Sequence, residues 1–350
     1  MVTLRPLILL LPLLLTGCTT LGYYAQSIQG QLDLLGRRHS IEQMIANADT
    51  PDGLRKRLQL VLEMREFASH ELGLPDNGSY RSYADLQRSA MVWSVVATPE
   101  FSMQPRQWCY PVVGCASYRG YFKKVAAEGF AEGLRGRGLD VVVESIPAYS
   151  TLGWFDDPLP STVVYWPEPR LAGLIFHELA HQRLYFPGDS DFNEGFASVV
   201  AQVGVERWLR SRGDAGSIDA WRQSLGRQQA FVDLLLEARE RLIALYAGPL
   251  PEQAMRQTKA EVFSQLREGY ADLKQRWGGY PGYDDWFSRE LNNAHLASVA
   301  TYQRLMPALL ALLQRGGDDL AVFYAACDEL KALEPGERAA RLDPPASNRL

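Results

Sequence analysis

The chain has 350 residues, 47% of them hydrophobic, with 36 Lys and Arg against 41 Asp and Glu. A core of that size suits one large domain or two intimate ones. The acidic balance leaves no electrostatic footprint for nucleic acid, so nucleic-acid binding is not expected.

Residues Met1–Gly17 read as a targeting segment rather than as part of the fold. Arg5 supplies a positive flank, and Leu7–Leu15 is an apolar run far short of the roughly 20 residues that span a bilayer as a helix. Leu15-Thr16-Gly17-Cys18 resembles a bacterial lipobox. That resemblance implies lipidation at Cys18, anchoring at the cell envelope and, because residue 19 is Thr rather than Asp, the periplasmic face of the outer membrane. Loss of Arg5 with the leader turns 36 basic residues into 35 against 41 acidic ones, a mature charge of −6.

Residues 19–72 read as helical. Ile28, Leu32, Leu35, Ile41, Met44 and Ile45 mark one region, and Leu54, Leu58, Val61, Leu62 and Met64 a second. Asp49–Gly53 is a turn signal between them. A mixed α/β region is expected over 91–186. Met91–Ala97, Leu139–Ile146 and Ser161–Trp166 are short and β-rich, and Tyr121–Arg135 has helical spacing, which suggests a crossover helix between the first two strands. Cys109 and Cys115 bracket a turn and suit a small disulfide loop in an oxidising compartment. Ala148–Pro160 is irregular and aromatic, which suggests either core packing or a cleft wall with Tyr149 and Trp154 touching substrate.

His177-Glu178-Leu179-Ala180-His181 is an H-E-x-x-H pattern, in a chain with only five His. Residues four apart share a helical face, about 5–6 Å apart at Cβ, so both imidazoles can reach one Zn²⁺. Glu178 is then placed as a general base. Leu171, Leu174, Ile175, Leu179 and Leu184 support a helix, and Pro187-Gly188 stops it.

An open zinc site needs a third protein ligand. Asp189, Asp191 and Glu194 are within reach. Glu194 is the first choice, presented by a second helix turning back antiparallel after a short loop, and Asp189 is the runner-up. Glu194 could instead be the N3 partner of a capping box with Asp191 as the cap. His295 is a fallback ligand.

From Val199 onward the chain reads as helical, over about 199–211, 217–247, 252–276, 285–315 and 318–333, with a tail over 342–350. His295 and Tyr302, seven apart on one expected helical face, are candidate oxyanion donors.

HELAHQ followed by FNEGFA resembles the gluzincin group of zinc peptidases, with a gap to the Glu shorter than in thermolysin-like members. More closely, CYPVVGCASYRGYF, AYSTLGWFDDPLPST, LIFHELAHQRLYFPGDSDFNEGFA and YDDWFSRELNNAHLASVATY resemble a bacterial family of putative aminopeptidases. The resemblance implies an α+β, predominantly α fold of a single domain over 18–341, with a small mixed sheet packed on the HELAH helix and a helical bundle over 192–333. It implies peptidase chemistry on Zn²⁺ held by His177, His181 and Glu194. In zincin folds the strand before that helix lines the cleft, which would place Val164 beside an extended peptide. The rival reading is a non-catalytic envelope lipoprotein that uses the same scaffold to bind peptide or protein.

Overall fold

The structure, a computed structural model, describes the backbone of residues 7–110, 114–151, 153–297 and 305–342, with side chains from residue 22 onward. It is α+β and predominantly helical. Helix α1 (Leu7–Gly36) leads through strand β1 (Arg38–Ser40) and α2 (Ile41–Ala46) to α3 (Asp52–His70). Strands β2 (Ser82–Ala84), β3 (Val92–Pro99), β4 (Trp108–Tyr110), β5 (Gly114–Ala116) and β6 (Arg119–Tyr121) follow. Then come α4 (Lys124–Arg135), β7 (Leu139–Ile146), β8 (Leu159–Pro160) and the paired helices α5 (Glu168–Arg183) and α6 (Ser190–Ser211). The rest is helical: α7 (Ala215–Ala247), α8 (Glu252–Arg276), α9 (Asp284–Phe287), α10 (Asn293–Ala297), α11 (Met306–Arg315), α12 (Leu320–Glu329) and α13 (Pro335–Leu342). No described helix is long and apolar enough to cross a membrane.

Two β-rich runs form strands where expected, but their connection differs. In the sheet β6-β3-β7, both neighbours are antiparallel to β3, so β6 and β7 run parallel on either side of it. Helix α4 therefore crosses from β6 to β7, and β3 fills the gap. Strand β3 is a continuous apolar run because both its faces are covered. Trp93, Val95 and Ala97 pack with Ala127, Ala131 and Leu134 of α4, while Val96 and Val142 meet Ala294 of α10.

The third run corrects the expectation. Ser161–Trp166 is not a strand but a series of turns after the two-residue β8. Val163 N–H bonds the Pro160 carbonyl and Trp166 N–H the Val163 carbonyl. Val163 and Val164 are wholly buried, and Arg57 takes the carbonyls of Val164 and Trp166 at 2.7 and 2.5 Å. The β-branched residues enter the core individually, and the Val164 carbonyl is already occupied. The mixed sheet that shares the core of α5 is the small β1-β2-β8, through Tyr83 and Leu159. The larger β6-β3-β7 sheet has a separate core with α4.

Nor is 285–315 one helix. It is divided into α9, α10 and α11, and residues 298–304, with Tyr302, lie outside the described residues. The break before α10 is built by polar side chains: Asn292 Oδ1 accepts from Ala294 N–H, and Asp140 accepts from Asn293 N–H. The Asn293 amide donates to the Glu100 and Ser102 carbonyls and accepts from Tyr246. The expected tail residue Leu342 is the buried last residue of α13, a helix the periodicity does not announce.

That helix locks the centre of the fold. Arg338 donates to Asp189 Oδ2 at 2.8 Å and to the Leu330 carbonyl, with both charged side chains almost fully buried. Its guanidinium lies over Phe186, 4.3 Å from the ring centroid. We expect Arg338→Ala to strand a buried Asp189 carboxylate and to lower unfolding free energy by about 3–5 kcal/mol. Urea denaturation of the variant against the wild type measures this.

Candidate metal centre

Helices α5 and α6 are antiparallel neighbours joined by residues 184–189. Six side chains of α5 are fully buried: Leu171, Ala172, Ile175, Phe176, Leu179 and Ala180. They hold one face of the helix in the core, which leaves His177 and His181 on the flank toward α6. The approach is close because α6 presents Gly204. A Cβ there would lie 2.9 Å from Phe176 Cδ2 and 2.8 Å from Leu72 Cδ1, inside van der Waals contact.

The corner between the helices is held by three sets of contacts. Asp189, not Asp191, is the N-cap of α6, and its Oδ1 accepts from Phe192 N–H at 3.1 Å. Its other oxygen is held by Arg338. Asn193 bonds both the N–H and the carbonyl of Phe186, each at 2.8 Å. Phe186 stacks on Phe192 with centroids 4.5 Å apart. The capping-box reading of Glu194 therefore falls away: the cap lies five residues earlier, and Asp189 has its carboxylate committed elsewhere.

With the corner fixed, Glu194 faces the two imidazoles. Its carboxylate oxygens lie 3.3 Å from His177 Nε2 and 3.7 Å from His181 Nε2, and the two Nε2 atoms are 3.1 Å apart. Among the described residues, these three form a group that could hold a metal ion. The spacings fit such an ion. Zinc–donor distances of about 2.0–2.2 Å put neighbouring corners of a tetrahedron about 3.3–3.6 Å apart.

The electrostatics agree. Burial acts to raise the Glu194 carboxyl, but hydrogen bonds from His177 and His181 and their charges bring it down to about 2. Burial acts to lower His177, but the Glu194 hydrogen bond and the charges of Glu178 and Glu194 outweigh it and raise the imidazole. Without a cation the cluster favours a proton, so metal uptake releases a proton and weakens as pH falls. Burial chiefly raises the Glu178 carboxyl. The two His lower it, and the Glu194 and Asp157 charges raise it further. A carboxyl shifted upward suits proton transfer.

Other expected site residues are placed apart. His295 is buried in α10 beside Asn292 and Trp286, and it is not in the metal-capable group. Burial and the Arg289 charge push it down to about 4. Tyr149 bonds Gln31 of α1, so its hydroxyl serves the packing of the first helix. Trp154 is largely exposed, and a Cβ at the neighbouring Gly153 would lie 3.6 Å from Gln182 of α5. Cys109 and Cys115 form a disulfide across the β4-β5 hairpin. Cys18 lies within α1, in the part without described side chains.

Several residues near the site escape sequence reasoning. Asn193 and Arg338 build the corner. Tyr118 follows the disulfide hairpin with its side chain more than half exposed, and its hydroxyl is raised by desolvation first and then by Tyr23, Glu194 and Tyr185. Asp157 accepts from Ser150 and from the backbone and side chain of Thr151, and its charge reaches Glu178. Asn193, Tyr118 and Asp157 lie in stretches that carry the family resemblance, whereas Arg338 lies outside them.

A family model described as "Putative aminopeptidase" matches residues 22–342. The chain belongs to the putative aminopeptidase family. Membership in this aminopeptidase family supports a peptidase, and the match takes in both the metal-capable group and the Arg338 lock. No curated protein and no solved structure matches the chain.

Glu194→Ala should strip the centre of metal, whereas Asp189→Asn should keep it at a cost in stability. Zinc stoichiometry of the two purified variants checks this. Zinc retained at one equivalent by Glu194→Ala would remove Glu194 from the ligand set.

Proposed function

We propose that this protein is a zinc-dependent peptidase of the cell envelope. The observation that carries the proposal is the convergence of His177, His181 and Glu194, with Glu178 on the same helical turn. The small sheet β1-β2-β8 sharing the core of α5 supports a zincin-like arrangement. The family description supports peptide substrates.

A zinc ion held by His177, His181 and Glu194 would supply Lewis acidity to the scissile carbonyl. Glu178 removes a proton from the attacking water and delivers it to the leaving amine. Its raised carboxyl makes it a stronger base than an ordinary carboxylate and a willing proton donor afterwards. Glu194 stays ionised across the physiological range, as an anionic ligand must. The Ala148–Pro160 loop passes Gln182 of α5, since a Cβ at Gly153 would lie 3.6 Å from that side chain.

Glu178→Gln should keep fold and zinc while turnover of a cleaved peptide falls at least about 10²–10⁴-fold, because general acid–base catalysis contributes on that scale. Chelation should abolish the wild-type activity, and added zinc should restore it. Near-normal turnover by a fully zinc-loaded Glu178→Gln protein would sink this mechanism.

The envelope location rests on the lipobox-like Leu15–Cys18. More than one acyl chain is needed for stable anchoring, which lipidation at Cys18 would provide. Cys18→Ser should release the protein from the membrane fraction into a soluble one. A variant that still fractionates with membranes would overturn the anchor.

A further inference from the structure

Tyr80 combines three features that ordinary packing does not account for. It is fully buried, at 1% exposure. Its φ is +60°, in the left-handed region that bulky residues rarely occupy. Its hydroxyl has no hydrogen-bond partner among the described residues. A buried orphan hydroxyl and a strained backbone at one aromatic residue call for an explanation, and such residues cluster at functional sites.

The strain is imposed from three sides. Arg65, fully buried in α3, donates to the carbonyls of Pro75, Asn77 and Ser79. Tyr80 N–H donates to the Asp157 carbonyl at 2.7 Å. The same segment is tied to the site helix: Asn77 donates to Gln182 Oε1 at 2.7 Å, and Gln182 donates to Ser79 Oγ at 3.2 Å. Gln182 lies four residues after Glu178, so the two share a helical face. The clamp that bends the chain at Tyr80 thus grips α5 on the face that carries the base. The charge of Glu178 is felt at the Tyr80 hydroxyl, after burial itself.

Two carboxylates act on the Tyr80 hydroxyl, and Glu178 is the less committed of them. Asp157, the other carboxylate in reach, already accepts from Ser150 and twice from Thr151. No described residue donates a hydrogen bond to the Glu178 carboxylate. Tyr80 is held rigidly, whereas Glu178 has three rotatable side-chain bonds. The hydroxyl is sealed from solvent, so it cannot meet a substrate that arrives from solvent.

We propose that Tyr80 is a positioning residue whose hydroxyl donates to the Glu178 carboxylate oxygen turned away from the metal-binding group. The Arg65 clamp and the left-handed backbone hold that hydroxyl in place. The contact fixes the carboxylate in the orientation from which proton transfer occurs. Its catalytic consequence rests on the peptidase reading, but the contact itself does not.

Two measurements test it with Tyr80→Phe, Glu178→Ala and the double variant. The first is a double-mutant cycle of urea denaturation on the purified chain. Removing a truly unpaired buried hydroxyl is neutral or stabilising, so without the contact Tyr80→Phe lowers stability in neither background. With the contact, Tyr80→Phe destabilises the wild type and leaves the Glu178→Ala protein unaffected. The second is steady-state hydrolysis of a cleaved peptide, where Tyr80→Phe should lower kcat at least about tenfold with KM little changed, as expected for loss of a group acting only in the transition state. An additive cycle overturns the proposal whatever the chain hydrolyses. A coupled cycle in a chain that cleaves no peptide overturns the peptidase reading and leaves the contact standing.

Discussion

The reversal of chain between α5 and α6 is the constraint on which the site depends. Two imidazoles one turn apart can be written into any helix, but a third donor must come from elsewhere and arrive within about 3–4 Å of both. Here it arrives because Asp189 caps α6, Asn193 closes both backbone groups of Phe186, and Arg338 neutralises Asp189 inside the protein. A buried ion pair adds little net stability, but breaking it is costly, so it acts as a register pin. The pin is covalently remote: Arg338 stands 149 residues after Asp189.

Around that corner the molecule is built in shells with separate tasks. The core of α3, α5, α6 and α11 to α13 makes the two site helices rigid. The β6-β3-β7 sheet has its own core with α4 and packs on α10. The motif around Asn293 and His295 serves this second body: Asn293 ties α10 to the Glu100–Ser102 loop and to Tyr246. Asn292, Asn293 and His295 are buried or half-buried at this joint, and none of them is in the metal-capable group. The Asn77–Tyr80 segment is the third shell, gripped by Arg65 behind and Gln182 in front.

Much of this was legible in the residues. The HELAH helix, the antiparallel return and the choice of Glu194 over its neighbours follow from spacing and loop length, and the geometry brings the three side chains together; the helix ends earlier than the expected stop at Pro187-Gly188, at Arg183, with Leu184 already extended. The strands at 92–99 and 139–146 follow from β-branched runs. The Ser161–Trp166 run did not, because burial satisfies β-branched side chains equally well in turns when something else serves the carbonyls, and Arg57 does so. The 285–315 segment has helical periodicity throughout, but Asn292 and Asn293 compete for the backbone and break it, as amide side chains do.

What the sequence by itself determined is therefore local: a helix with two His on one flank, a Glu between them, a short return and an acidic residue near its far side. These depend on periods of three to four residues and on turn formers, which act over a few neighbours. What only the tertiary structure decided is which acid caps α6, that Arg338 secures the corner, and that Tyr80 lies buried beside a segment tied to Gln182 of α5. The Arg338 lock and the tie to Gln182 depend on contacts between residues 149 and 105 positions apart. No spacing rule encodes them, because burial and charge pairing are settled only when the distant elements pack.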